Sequence, residues 1–304
     1  MSRIHEALLR AEQERAASQG NIVQPPFTGA PGEISAFANE IAAGREIAAM
    51  PAFGNAFGLD ALLAQSVQQQ WQPDAATMLF LNGGEAGQGT EEFRTLRSRL
   101  YSLREKMTLK TILVTSALPR EGKSFTSANL AQVMVRQHGR RVLLIDADLR
   151  GPRLHQMLGT AIGPGLSEYL QGKSSEFSIM QRGPLENLFF IPGGSGIADP
   201  AELVGNGKLQ ILLQRVESLF DWIIIDSPPA VAVSDASVLA KACDGVLMVV
   251  RSHSTPFDVA RKARQEFPDQ ALVGVVLNGT RDDAAPYARY YYEAYEKKEV
   301  PTQG

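Results

Sequence analysis

A single cysteine, Cys243, stands in 304 residues, so no disulfide framework can staple this chain. That fits a reducing compartment. The four histidines, His5, His138, His155 and His253, are scattered and form no zinc-ligand spacing with the lone thiol. A large excess of either charge is also missing, with 30 Lys and Arg against 33 Asp and Glu. A formal net charge of -3 gives no global basic field to draw the protein onto nucleic acid or anionic lipid, and nucleic acid is not an expected partner. Long hydrophobic runs are absent too: none reaches the ~18 apolar residues of a spanning helix. The opening MSRIHEALLRAEQER is too charged for a signal peptide. The expectation is a cytoplasmic protein without a membrane span, with any membrane role exercised through a partner.

With 44% hydrophobic side chains, the chain can bury one substantial core, so one large domain with appendages is expected. In the first residues Ile4, Leu8 and Leu9 share one side of a short helix. Partner docking and a frayed terminus are equally open readings of that face. From Ala17 to about Gly89, segments such as VQPPFTGAPG and QSVQQQWQ carry no sustained period, which predicts a flexible region with one helix near Leu59 to Gln70. Order is expected from Thr90, an N-cap followed by Glu91 and Glu92. Phe93, Leu96, Leu100, Leu103 and Met107 then form one helical stripe. Further on, strand-like runs TILVTSA, RVLLIDAD, NLFFIP, WIIIDSPP, GVLMVV and ALVGVVLNG alternate with helical segments around 123–138, 200–218, 234–242 and 257–266. Continuous apolar strands separated by helices predict an α/β, doubly wound, mostly parallel sheet. The predicted division is an extension over 1–89, a domain over 90–286 and a tail over 287–304.

TILVTSALPREGKSFTSANLAQVM runs from strand through loop to helix, and the loop ends in Gly122, Lys123 and Ser124. Glycine lets the backbone approach a phosphate, lysine neutralises terminal phosphates, and the serine hydroxyl can ligate magnesium. The helix N-terminus adds the positive end of its dipole. Ala117 stands where the general pattern has glycine. Asp146 and Asp148 follow the strand VLLI, and Asp226 follows WIII. All three therefore belong to the carboxyl edge of a parallel sheet, where ligands bind. Arg150 and Arg153 pair either with phosphate or with these acids.

These motifs resemble the bacterial tyrosine kinase family of capsule and exopolysaccharide production, whose P-loop domain is related to MinD and ParA type ATPases. SALPREGKS looks like its Walker A motif, LLIDADLR its Walker A prime and IIIDSPP its Walker B. The resemblance covers roughly Glu91 to the C-terminus. It implies ATP and Mg2+ as cofactors, with Ser116, Pro119, Arg120, Glu121, Gly122, Lys123, Ser124 and Phe125 around the nucleotide and Asn278 reading adenine. It also implies Ser124, Asp146 and Asp226 at the metal, Asp146 as the base for the tyrosine hydroxyl, and Asp148 assisting. A free tyrosine has a pKa of ~10, so its proton must leave as the phosphoryl group arrives.

Five of the seven tyrosines, Tyr287, Tyr290, Tyr291, Tyr292 and Tyr295, crowd into PYARYYYEAYEKK. Three consecutive tyrosines point around a helix rather than along one face. A tail of this kind is similar to the family's autophosphorylation substrate. Glu91, Arg94 and Arg97 fit the ExxRxxR pattern of its ring-forming helix. The family further implies a separate membrane activator of polysaccharide co-polymerase type, recruitment to the inner face of the membrane, a homo-oligomeric ring and a tyrosine phosphatase. The rival readings are a MinD or ParA type switch ATPase and a scaffold without catalysis. The switch proteins carry a second lysine early in the loop, where Leu118 stands here.

Overall fold

In a computed structural model the described residues are 58–80 and 89–280, apart from 138 and 198. An eight-stranded sheet runs through them in the order β1-β4-β5-β3-β6-β2-β7-β8. Its strands are β1 (Val67–Gln68), β2 (Thr111–Ser116), β3 (Val142–Asp146), β4 (Gln181–Arg182), β5 (Leu188–Ile191), β6 (Trp222–Asp226), β7 (Gly245–Arg251) and β8 (Leu272–Asn278). Every pairing is parallel except β4 with β5. β2, β3, β5 and β6 are buried throughout, as continuous apolar strands covered on both faces must be. The predicted doubly wound architecture is the observed one.

The α-helices are α1 (Leu59–Gln65), which precedes β1, and, between strands, α2 (Thr90–Arg104), α3 (Lys123–Val135), α4 (Leu154–Leu158), α5 (Leu166–Leu170), α6 (Pro200–Gly205), α7 (Lys208–Val216), α8 (Asp235–Ala240) and α9 (Phe257–Gln265). Two apolar clusters result, one on each face of the sheet. Leu113, Ile145, Ile223 and Met248 contribute to one and Ile112, Leu144, Ile224 and Leu247 to the other, following the alternation of a strand. Among the described residues no helix is long and apolar enough to cross a membrane.

Three elements depart from the sequence reading. The segment read as one helix over 200–218 is broken, because Gly207 takes a left-handed φ of 78° and Asn206 turns its amide onto the Leu170 carbonyl at 3.1 Å. Met107 drops out of the stripe of α2, since that helix ends at Arg104 and leaves the side chain exposed. Most consequential, packed structure does not begin at Thr90. Residues 58–80 already belong to the fold: α1 buries Leu62, β1 pairs with β4, and Trp71, Met78 and Phe80 enter the core. Two polar side chains of α3 fasten this strap. Asn129 accepts from Leu79 N–H at 2.9 Å and donates to the Thr77 carbonyl at 2.8 Å. Gln132 donates to Met78 Sδ at 2.9 Å.

Candidate active site

β2 is central, flanked by β6 and β7, and β3 lies beyond β6. The chain passes from β2 to β3 over β6, so the carboxyl ends of these strands meet at a switch in strand order, the place where open α/β sheets bind ligands. After Ser116, whose hydroxyl donates to the Leu118 carbonyl at 2.8 Å, the loop runs through Arg120, Glu121 and Gly122 into α3. Arg120 and Gly122 both have positive φ, 66° and 101°. Gly122 is required twice over, since an added Cβ would also lie 2.0 Å from Asn278 Nδ2. Lys123 and Ser124 open the helix.

Asp146 and Asp226 end adjacent strands in register, and both are fully buried. Ser124 Oγ donates to Asp226 Oδ2 at 2.6 Å. Lys123 Nζ reaches Asp148 Oδ2 at 2.7 Å and Asp226 Oδ2 at 3.7 Å. Asp146 Oδ2 accepts the backbone N–H groups of Arg153 and Leu154, each at 3.0 Å, while its Oδ1 is buried with no hydrogen-bond partner. The sequence-predicted quartet of Lys123, Asp146, Asp148 and Asp226 is thus one contiguous cluster. Burial, then the neighbouring Asp226, pushes the Asp146 carboxyl well above the ordinary range, and burial raises Asp226 despite Lys123. Burial alone would depress Lys123, but the Asp226 and Asp148 charges outweigh it and hold its ammonium above its usual range. An orphaned carboxylate oxygen, a second carboxylate and a serine hydroxyl together suit a hard divalent cation.

The remaining predicted residues sort by place. Phe125 is half-buried and packs against the core beside Phe93, with ring centroids 5.9 Å apart. Asn278 Nδ2 donates to the Glu121 carbonyl at 2.8 Å, so its amide faces the phosphate loop. Glu91 pairs with Arg94 on α2, and Arg97 donates to the Val133 carbonyl at 3.0 Å. The tail tyrosines, Tyr287 through Tyr295, lie outside the described residues. Of the open alternatives for Arg150, the structure gives an acid outside the quartet. Its guanidinium forks onto Asp235 at 2.8 and 3.2 Å. Two further residues escaped the sequence reading. Ser127 donates to Asp226 Oδ1 at 3.2 Å; its spacing of three from Ser124 on a helix was the available signal. Thr255 donates to the Glu121 carboxylate, and no motif marks it.

A strand, a glycine-lysine-serine turn at a helix N-terminus and aspartates closing two neighbouring strands define a P-loop nucleotide-binding α/β protein. A family model described as an AAA domain matches residues 110–258. The tyrosine-protein kinase YwqD of Bacillus subtilis is 35% identical over 194 residues, which cover 63% of this chain and 81% of that protein. Tyrosine-protein kinase wzc of Salmonella typhimurium is 32% identical over 222 residues, 72% of this chain but 31% of the relative. The chain therefore spans about a third of that larger protein and most of the smaller one. The kinase domain of the Escherichia coli tyrosine kinase ETK matches with TM-score 0.62 and 30% identity, over 68% of this chain and 81% of that one. The chain belongs to the bacterial tyrosine-protein kinase family.

Proposed function

We propose that the chain is an ATP-dependent autokinase that transfers the γ-phosphoryl group of ATP to tyrosines of its own C-terminal tail, between subunits of an oligomer, in the control of exopolysaccharide or capsule production. The observation that carries this reading is the buried cluster in which Lys123, Ser124 and three aspartates share one strand edge. Five acceptor tyrosines in the same chain give the cluster a substrate.

The protein's own groups divide the work. Gly122 and the N-terminus of α3 cradle the phosphates. Lys123 exchanges its Asp148 contact for phosphate oxygens and follows the charge onto the leaving group. Asp146, with one oxygen unpartnered, takes the phenolic proton as the tyrosine oxygen bonds to phosphorus and the bond to the ADP oxygen breaks. Asp148, released from Lys123, helps orient the acceptor. Ser124, Asp146 and Asp226 would hold magnesium, which when bound neutralises charge on the phosphate oxygens.

The activator in this reading is the cytoplasmic end of a separate membrane protein of polysaccharide co-polymerase type, which recruits the kinase to the inner face of the membrane. A tyrosine phosphatase resets the tail. The switch-ATPase reading needs a cation at the position of Leu118. That side chain packs on the core instead, and its N–H is held by Glu121 at 2.7 Å. Transfer between subunits is tested by mixing wild-type protein with a Lys123→Met chain of different mass. Phosphate on the tail of the inactive chain is the expected result, and an inactive chain that stays bare while the active one is modified excludes transfer in trans.

A further inference from the structure

The phosphate loop is held from outside by residues that do not belong to its motif. Glu121 is almost completely buried, 2% exposed, and three groups converge on it. Leu118 N–H donates to Oε2 at 2.7 Å, the Thr255 hydroxyl donates to Oε1, and Asn278 Nδ2 donates to the main-chain carbonyl at 2.8 Å. One residue earlier, Arg251 donates to the Arg120 carbonyl at 3.1 Å. Thr255 comes from the turn after β7, and Asn278 ends β8. Arg120 needs this support. It is a non-glycine residue at φ 66°, a conformation that persists only where surrounding contacts enforce it.

Both ends of the Asn278 amide are already engaged within the fold. Its Oδ1 accepts from Gly279 N–H at 2.9 Å, and its Nδ2 occupies the space that a Cβ on Gly122 would need. The nitrogen end of the amide is folded against the loop and the oxygen end is held by its own turn. We infer that Asn278 and Thr255 are positioning residues: through Glu121 they fix the phosphate loop in its binding shape, and Asn278 acts on the phosphates through that loop rather than on adenine. This deepens, and rests on, the reading of the site as a nucleotide site. The adenine role implied by family resemblance is replaced by one that does not depend on the identity of the base.

The two roles separate in binding. Calorimetry with ADP, GDP and inorganic pyrophosphate, each with magnesium, is carried out on the full chain and on Asn278→Ala, Thr255→Val and Thr255→Ser. A positioning role predicts that Asn278→Ala and Thr255→Val weaken all three ligands by a common factor of about ten, the value of a lost buried hydrogen bond. The ratio of ADP to GDP affinity then stays constant, Thr255→Ser retains wild-type binding, and melting temperatures fall by about 2–4 °C. Thr255 lies on a partly exposed turn, so its variants keep the test alive if Asn278→Ala does not fold. Loss confined to ADP, with pyrophosphate unmoved, overturns the inference in favour of base reading. Wild-type protein that binds while neither variant changes overturns it outright. Wild-type protein that binds none of the three ligands removes the nucleotide-site reading itself, and the inference falls with it.

Discussion

Asp146 meets two opposed demands. Folding would favour a neutral or fully paired group at a position with no solvent contact, whereas the chemistry needs an ionisable oxygen beside Asp226. In the folded chain this carboxyl keeps its proton to higher pH than in the unfolded chain. Its cost is therefore absent below the unfolded value near ~4 and grows as pH rises toward the folded value. Asn at this position accepts the same two backbone N–H groups without the charge. The ligand-free Asp146→Asn variant should melt about 2–4 °C higher than wild type at pH 8, the shift that ~1 kcal/mol produces in a domain of this size. The gain should shrink at pH 5, where the wild-type group is nearer neutrality. A variant that melts lower at both pH values contradicts this account of the cluster. The Walker residues were legible because their chemistry demands fixed types at fixed spacing. Asp235 and Thr255 were not, because each acts on a residue far away in sequence, Asp235 on Arg150 and Thr255 on Glu121.

At the level of elements, the strap over 58–80 shows what composition conceals. Trp71 sits in the glutamine-rich run QSVQQQWQ, which has no period to mark it as core. Its ring fills the space left by Gly183, where an added Cβ would stand 2.1 Å from the indole, and it meets Phe190 edge-on with centroids 6.3 Å apart. The strap also lies against Gly159, whose φ is 61° and whose hypothetical Cβ would fall 1.9 Å from the Gln72 carbonyl. That single spot admits only glycine. Trp71→Ala should cost about 3–5 kcal/mol, as large aromatic truncations in cores do, measured by urea unfolding. A loss under ~1 kcal/mol would show that the strap is dispensable. The strands, in contrast, could be read directly, since five- to seven-residue apolar runs such as those of β3, β6 and β7 bounded by acids or turns leave few alternatives in an α/β chain. Helix ends were less legible, because the break at Gly207 depends on the contact of Asn206 with Leu170, on a different helix.

For the whole molecule, the proposed ring uses α2, where the three motif residues divide. Arg97 is engaged with α3 of its own subunit through the Val133 carbonyl, while Glu91 and Arg94 pair with each other near the surface, where the proposed ring would exchange that pair for partners on a neighbour. Each phosphorylated tyrosine adds close to two negative charges at neutral pH, so several in one tail should loosen an assembly in which tails enter neighbouring sites. Unphosphorylated protein is expected to run as a larger oligomer than phosphorylated protein on a sizing column at matched concentration, and identical sizes would count against the ring.

The most direct test of the central claim is to incubate the purified chain with ATP and magnesium, with and without the cytoplasmic fragment of a candidate membrane partner, and to map phosphate by mass spectrometry beside a Lys123→Met control. Phosphate on tyrosines between Tyr287 and Tyr295 that vanishes in the control is the predicted result. ATP hydrolysis without tyrosine phosphate, even with the partner present, would contradict the account and place the chain with the switch ATPases.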